Sequence, residues 1–565
     1  MGSKIVITTR RHDVAKEVGC SYTMERLTHE SSKILFYGSI FGSKGECPPQ
    51  FSEVSEIFLK KCGGVPLAII TISSLLANKP RNIKEWNEVC DSIGSGLGSN
   101  HNMKNMIKIL SLSYYALPPY LKTCLLYLSV FPEDYKIQKE RLIWRWIAEG
   151  FIQHGEESRS LFEVGVRSQS LFELGESYFN ELINRSLFQA ADTSIRDGTP
   201  GSCRVHDMVL ELICSLSRQE NFVTTVLGDS RQRTPPSGSK KVRRLSLHNT
   251  TWPTIMDTSS LRSLTIFSSA IINLMPSLSC CHLLRVLDLQ SCNLRDHPNL
   301  RFLGNLLHLR YLSLAYTRYG GELPEEIGKL QFLQTLDLSS IEIEQVSSII
   351  IAGLRQLIRL CVLNTRLPNG LLGRLTFLEY LKVVIVDSAC MAEELGHLTQ
   401  LRMLYVRLWE DKDGGWDESM GTALVRSLAK LHKIQKLIVE TSRVAANLEG
   451  SLEYQLELDN LSYLRLRETT SMPTWICPAS LPHLSDLDLE MVQVRVDDIQ
   501  VLGKLQSLRY LEVDVSGDFE EIGNIQVLER FIVSHDVFPC VIKCSFSGFS
   551  MAPSAFPPGA MRSLE

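Results

Sequence analysis

From residue 242 onward, apolar and polar positions fall into one six-residue phrase that returns twelve times. It reads VRRLSL at 242, LRSLTI at 261, LRVLDL at 284, LRYLSL at 309, LQTLDL at 333 and LIRLCV at 357. It continues as LEYLKV at 378, LRMLYV at 401, IQKLIV at 434, LSYLRL at 461, LSDLDL at 484 and LRYLEV at 508. In a short strand successive side chains point to opposite faces, so Leu287 and Leu289 turn inward while Val286 and Asp288 face out. A unit of this size buries its leucines only against its neighbours, which predicts a stack of repeats with one continuous core.

The central leucines lie 19 to 33 residues apart, mostly 21 to 25, matching the leucine-rich-repeat period of roughly 20–29 residues. The longest gap, before Leu437, holds the polar run 410–419 and predicts a surface loop insertion. The outward residue between the last two apolar positions forms a column: Ser246, Thr265, Asp288, Ser313, Asp337, Cys361, Lys382, Tyr405, Ile438, Arg465, Asp488 and Glu512. Its mixture of small, acidic, basic and aromatic side chains suits a protein partner better than the basic stripe that tracking phosphates requires. Tyr311, Tyr380, Tyr463 and Tyr510 at the preceding outward position, with Tyr405 in the column itself, are the candidate partner-binding residues, because aromatics are enriched among interface anchors. Strands also favour tyrosine for packing reasons alone.

Before residue 242 the pattern changes. Residues 2–10, GSKIVITTR, read as a turn and a buried β-branched strand ending on Thr9 and Arg10, where ligands of parallel α/β sheets collect. CGGVPLA at 62–68 offers a glycine pair and a proline, and LIWRWIAEGFI at 142–152 spaces large apolar residues as a helix stopped by glycine. Val205-His206-Asp207 places an imidazole before a predicted helix start.

Taken in order with LKTCLLYLSVFPEDYKI at 121–137, these segments resemble the plant NB-ARC leucine-rich-repeat family of disease resistance proteins. The resemblance covers residues 1–220 before the repeats begin. It implies an α/β fold class: part of a nucleotide-binding α/β domain at 1–40, a helical subdomain at 41–118 and a winged-helix subdomain at 119–228. A linker at 229–241, the repeats at 242–535 and an incomplete repeat or tail at 536–565 follow. Thr9 and Arg10 then belong to a sensor strand, Gly64, Pro66 and Leu67 to a GLPLA-like segment beside adenine, and His206 and Asp207 to a Met-His-Asp triplet with Val205 for Met. In that family the histidine touches the β-phosphate of ADP. An innate immune role is implied, cytoplasmic, with an effector or host protein as partner and intramolecular contacts between repeats and switch module. A decoy or regulator of full-length receptors that never binds nucleotide is the alternative.

Other chemistry is expected to be missing. No GxxxxGK[ST] loop is present; residues 38–45, GSIFGSKG, have the wrong spacing and put Gly45 where Ser or Thr would hold magnesium. Without that loop and a magnesium carboxylate, no ATP hydrolysis is expected, and ADP binding is expected to be weak. The family places both elements upstream of Gly2, so the chain is expected to begin inside the nucleotide-binding fold and to lack a final capping repeat. A formal charge of −4 from 59 basic and 63 acidic residues drives nothing toward nucleic acid or an anionic membrane. Lys240 to Arg244 run into a repeat strand and read as a repeat edge, not a nuclear signal. Residues 65–77 are too short and polar to span a bilayer, Val6 breaks a myristoylation pattern, and fifteen scattered cysteines without zinc-ligand spacing predict reduced, buried thiols.

Overall fold

The computed structural model describes residues 25–42, 47–93, 102–153, 169–193, 199–228, 241–249, 257–267, 278, 280–295, 299–363, 365–409, 418–441, 448, 456–515 and 543–547. The sensor strand with Thr9 and Arg10 lies outside them. Two compact units emerge, one holding 1–125, 177–189 and 204–215, the other 126–176, 190–203 and 216–565.

The first unit is helical. It contains α1 (His29–Phe41), α2 (Ser52–Cys62), α3 (Pro66–Ala77), α4 (Ile83–Ile93), α5 (Asn102–Tyr115) and α6 (Pro119–Leu126, but for its last residue). Fully buried Trp86 lies 4.6 Å from Phe51 and 6.4 Å from both Phe41 and Phe58, ring centre to ring centre. α2 ends on Gly63 in the left-handed region, as helices with a glycine stop do. Gly64 follows at φ +73°, and a Cβ there would meet the Leu27 carbonyl at 2.5 Å. This close approach explains the glycine pair of the 62–68 segment.

In the second unit, α7 (Lys139–Glu149) ends on Gly150 at φ 82°, the glycine stop expected from sequence. Further along the chain come α8 (Leu171–Asn184), whose first six residues belong to this unit, and α9 (Asp207–Gln219), of which only the last four do. A small sheet of β1 (Ile137–Gln138), β2 (Gln189–Thr193) and β3 (Pro200–Arg204) has the order β1-β3-β2, with β1 antiparallel to β3.

The twelve phrases form twelve consecutive strands: β5 (Arg244–His248), β6 (Ser263–Phe267), β7 (Val286–Asp288), β8 (Tyr311–Ser313), β9 (Thr335–Leu338) and β10 (Arg359–Val362), then β11 (Tyr380–Val386), β12 (Met403–Leu408), β13 (Lys436–Thr441), β14 (Tyr463–Thr469), β15 (Asp486–Met491) and β16 (Tyr510–Val515). All pair in parallel, with Leu245, Leu264, Leu287, Leu312, Leu336 and Leu360 in one register row that runs on through Leu381 to Leu511. Each is almost fully buried, so the row is the spine of the core. The outward column read from the sequence is the next register row.

Two strands outside the phrase extend the sheet to fourteen: β4 (Thr224–Leu227) before β5 and β17 (Lys543–Ser547) after β16. Part of the expected loop insertion is instead a helix at Glu418–Leu428. None of the twelve cysteines whose side chains are described forms a disulfide. Cys280 and Cys390 are exposed, which corrects the expectation of uniformly buried thiols.

Candidate interaction site on the repeat strand face

Residues 141–149 of α7 are all buried, including Arg141, Arg145 and Glu149. An i, i+4 arginine pair on a helix projects from one face, and here that face meets the strands. Arg141 Nε donates to Asp288 Oδ2 at 2.8 Å, and Arg145 Nη1 donates to the same oxygen at 3.0 Å. The other carboxylate oxygen accepts from the Gln290 amide at 3.1 Å. Arg145 also donates to the Tyr127 hydroxyl at 3.0 Å and to Thr265 Oγ1, while Arg141 donates to the Tyr135 hydroxyl at 2.7 Å.

Burial opposes all three charges. Charge pairing outweighs it: the two arginines hold the Asp288 carboxyl below its usual range, Asp288 holds Arg141 above its own, and Tyr127 followed by Asp288 does the same for Arg145. Two cations on one anion leave the cluster with a net positive charge. Oxygens of buried Tyr127 and Thr265 and of half-buried Tyr135 disperse it.

The contact spreads along the sheet from this centre. Arg244 of β5 donates to Glu149 Oε2 at 3.0 Å. Arg359 of β10 meets Asp337 at 3.1 Å and Glu140 at 3.6 Å, and Lys382 of β11 meets Glu140 at 3.7 Å. Trp144 packs 5.1 Å from Phe172 and 5.0 Å from Tyr380, which itself lies 4.9 Å from Phe172. At the start of α8, Glu173 accepts from Arg402 at 3.0 Å and Gln435 at 2.6 Å. Near β5, Ser246 Oγ and His248 Nε2 both reach the Val130 carbonyl, at 2.6 and 3.1 Å.

The structure therefore corrects the reading of two tyrosines as free anchors. Tyr311 is 1% exposed, its hydroxyl pushed well above its usual range by burial, and Tyr380 packs against Trp144 and Phe172. Both outward rows at β7 and β8 are covered by the chain's own helix. Tyr405, Tyr463 and Tyr510 remain half-buried on the open part of the face; Tyr405 donates to Glu440 at 2.6 Å, and Tyr463 lies under the Arg465 guanidinium, 5.9 Å from ring centre to carbon. Sequence reading singled out Asp288 only as one column member and missed Arg141, Arg145, Trp144 and Glu173. The available signal was two arginines four apart beside the large apolar residues of 142–147.

The described residues that the resemblance assigns to nucleotide contact sit in the first unit. Val65 caps α3 without a side-chain hydrogen bond, and Pro66 opens the helix exposed, followed by half-buried Leu67. His206 is the N-cap of α9, and its Nδ1 accepts from the Met208 amide at 3.2 Å. In a neutral ring that bond puts the proton on Nε2, so exposed His206 carries a donor suited to an anionic oxygen. Asp207 is the first residue of the helix. These groups fit the contacts ADP would need from them: a backbone turn for adenine and an imidazole N–H for phosphate. Among the described residues no cluster of three metal-ligating side chains occurs, and no helix is long and apolar enough to cross a membrane.

A leucine-rich repeat region family matches residues 260–565, and a disease resistance protein winged helix domain matches residues 130–213. Disease resistance protein RGA5 of Oryza sativa subsp. japonica is 30% identical over all of this chain and 50% of its own length. Disease resistance protein Pik-2 of the same organism is 30% identical over 94% of this chain and 51% of its own. A solved internalin from Listeria monocytogenes is similar over 55% of this chain and 87% of its own, at 16% identity and a TM-score of 0.39. The chain spans about half the length of the curated relatives it matches. The repeat region, the winged helix and these relatives together show that the chain belongs to the plant NB-ARC leucine-rich-repeat disease resistance family.

Proposed function

We propose that this chain is the sensing and restraining portion of a plant immune receptor, in which α7 is latched onto the repeat strands until a protein partner competes for the face. The observation that carries the reading is the seat of Arg141 and Arg145 on Asp288. Breaking one partner of a buried ion cluster leaves charge uncompensated, so the latched state is favoured strongly while the contact is whole and weakly once it is disturbed. A partner that binds the face only when α7 has left shifts that equilibrium by its differential affinity. Tyr405, Tyr463 and Tyr510 are where it would first land.

We assign Gly64, Pro66 and Leu67 to adenine and His206 with Asp207 to the phosphate of a nucleotide switch, with Thr9 and Arg10, outside the described residues, assigned alongside them from the sequence. Bound ADP would supply negative charge next to the His206 Nε2 donor. A module that pairs with full-length receptors without nucleotide would use the same latch.

Two measurements test these readings. Hydrogen exchange of the 139–149 amides should speed up in Asp288→Ala while the β12–β16 amides stay protected; unchanged protection of α7 would remove the latch. Calorimetric titration with ADP should give weak binding that His206→Ala weakens further. No heat of binding by the unaltered chain favours the nucleotide-free module.

A further inference from the structure

At the N-terminal ends of β5 to β8 four arginines stack in consecutive repeats. Arg262 N donates to the Arg243 carbonyl at 2.7 Å, Arg285 N to the Arg262 carbonyl at 2.7 Å, and Arg310 N to the Arg285 carbonyl at 2.8 Å. Backbone pairing therefore holds the four residues one strand spacing apart, roughly 4.8 Å. Arg243 is exposed and the other three are half-buried. None of the four guanidiniums has a hydrogen bond, ion pair or ring contact among the described residues.

The same repeat position further along behaves differently. Arg402 pairs with Glu173 at 3.0 Å and with Glu379, its neighbour in that row, at 3.6 Å. Where this row meets carboxylates of its own chain, the arginine is neutralised; in the first four repeats it is not. Like charges at this spacing repel by about 1 kcal/mol per neighbouring pair even in water, so an acidic ligand relieves repulsion as well as gaining attraction.

A looser set of exposed apolar side chains runs beside the first, with His308, not Leu307, at the β8 position equivalent to Leu283 and Phe332 and stacked 6.4 Å from the Phe332 ring. Leu283, Leu307, Phe332 and Phe377, in the turns leading into β7, β8, β9 and β11, are 45% to 61% exposed. Leu283 and Leu307 fall in the repeats that carry Arg285 and Arg310. A cationic ladder flanked by apolar side chains is amphipathic along the solenoid axis, perpendicular to the strands.

We propose that this edge is a docking surface for an acidic amphipathic helix of a partner protein. Helix residues three or four apart have Cβ atoms roughly 5–6 Å from one another, close to the ladder pitch. A helix with Glu or Asp at that spacing can therefore pair successive arginines while its neighbouring apolar stripe covers Leu283, Leu307 and Phe332. Charge complementarity selects the acidic face, and the apolar set selects a protein over a polyanion with no apolar face. The surface uses none of the residues that seat α7.

The test is fluorescence anisotropy with the full chain and a labelled synthetic helix of about 18 residues, carrying Glu at i, i+3 and i+4 spacing beside a leucine stripe. The control peptide has every Glu replaced by Gln. Binding of the acidic peptide should weaken as salt is raised and fall about tenfold or more in the triple variant Arg262→Ser, Arg285→Ser, Arg310→Ser. The urea midpoint of that variant should match the unaltered chain, since these side chains have no partner among the described residues. A second variant, Leu307→Ser with Phe332→Ser, should weaken binding while leaving its salt dependence intact. Equal binding of the Gln peptide, or undiminished binding by the triple variant, would overturn the proposal. Tighter binding of single-stranded RNA or anionic vesicles at the same arginines would overturn the choice of partner.

Discussion

Strands β7 to β10 and β12 to β16 are written in the same phrase, yet they differ in what water sees. In β7 and β8 every residue is buried, and so is all of β10. In β12 buried and half-exposed residues alternate strictly, and in β13 the pattern is nearly the same. The inward leucines are alike in both regions. What changes is the outward face, covered by α7 in the first and bare in the second. Repeat phrasing sets which side chains leave the core; the helix laid across them decides which of those reach solvent.

The difference can be broken by charge. Asp288→Ala should destabilise the second unit by about 3–5 kcal/mol, because it strands two buried guanidiniums. Glu490→Ala, which removes the exposed pair with Arg467 on the bare region, should cost about 0–1 kcal/mol. Urea unfolding of both variants measures the contrast, and equal losses would erase it.

Packing gives the next effect. Trp144→Ala removes the ring held between Phe172 and Tyr380 and should cost about 3 kcal/mol. The exposure of Tyr380 should rise with it, read as faster chemical iodination than in the unaltered chain.

Acid sharpens the comparison further. Asp288 has a depressed folded-state pKa, since attraction to Arg141 and Arg145 overcomes burial. Its contribution is present above the ordinary value of 3.8 and is lost as pH falls through the lower folded value. Asp288→Asn should therefore flatten the acid limb of stability against pH below about 4. His248 acts in a separate window. Burial lowers its pKa and the Val130 carbonyl opposes this only in part, so the fold favours neutral imidazole. Its contribution is complete above 6.5 and declines as pH falls toward the folded value. His248→Phe should remove that slope, a smaller effect seen by urea unfolding at stepped pH.

Much of the molecule was legible because its code is local. A period near 24 residues with fixed inward leucines specifies strand, register and core together, so twelve phrases became twelve strands in one parallel sheet. The glycine stop at Gly150 and the helix start beside His206 were readable for the same reason, since helix ends depend on a few neighbouring residues. β4 and β17 escaped notice because TTVL and KCSFS lack the leucine phrase. They join through backbone pairing to strands already in place, a process that demands little of their side chains.

The candidate site was legible only in parts. Asp288 stood in the outward column, and Arg141 and Arg145 in a helix, but their 147- and 143-residue separations from Asp288 carry no sequence signal. The sequence by itself determined the solenoid and its register, because each follows from spacing within or between adjacent repeats. Only the tertiary structure decided that Tyr311 and Tyr380 are covered, that Asp288 is a buried counter-ion and that Tyr405, Tyr463 and Tyr510 remain on the open face. Burial and charge pairing between distant segments depend on how whole elements pack, and no local pattern encodes that.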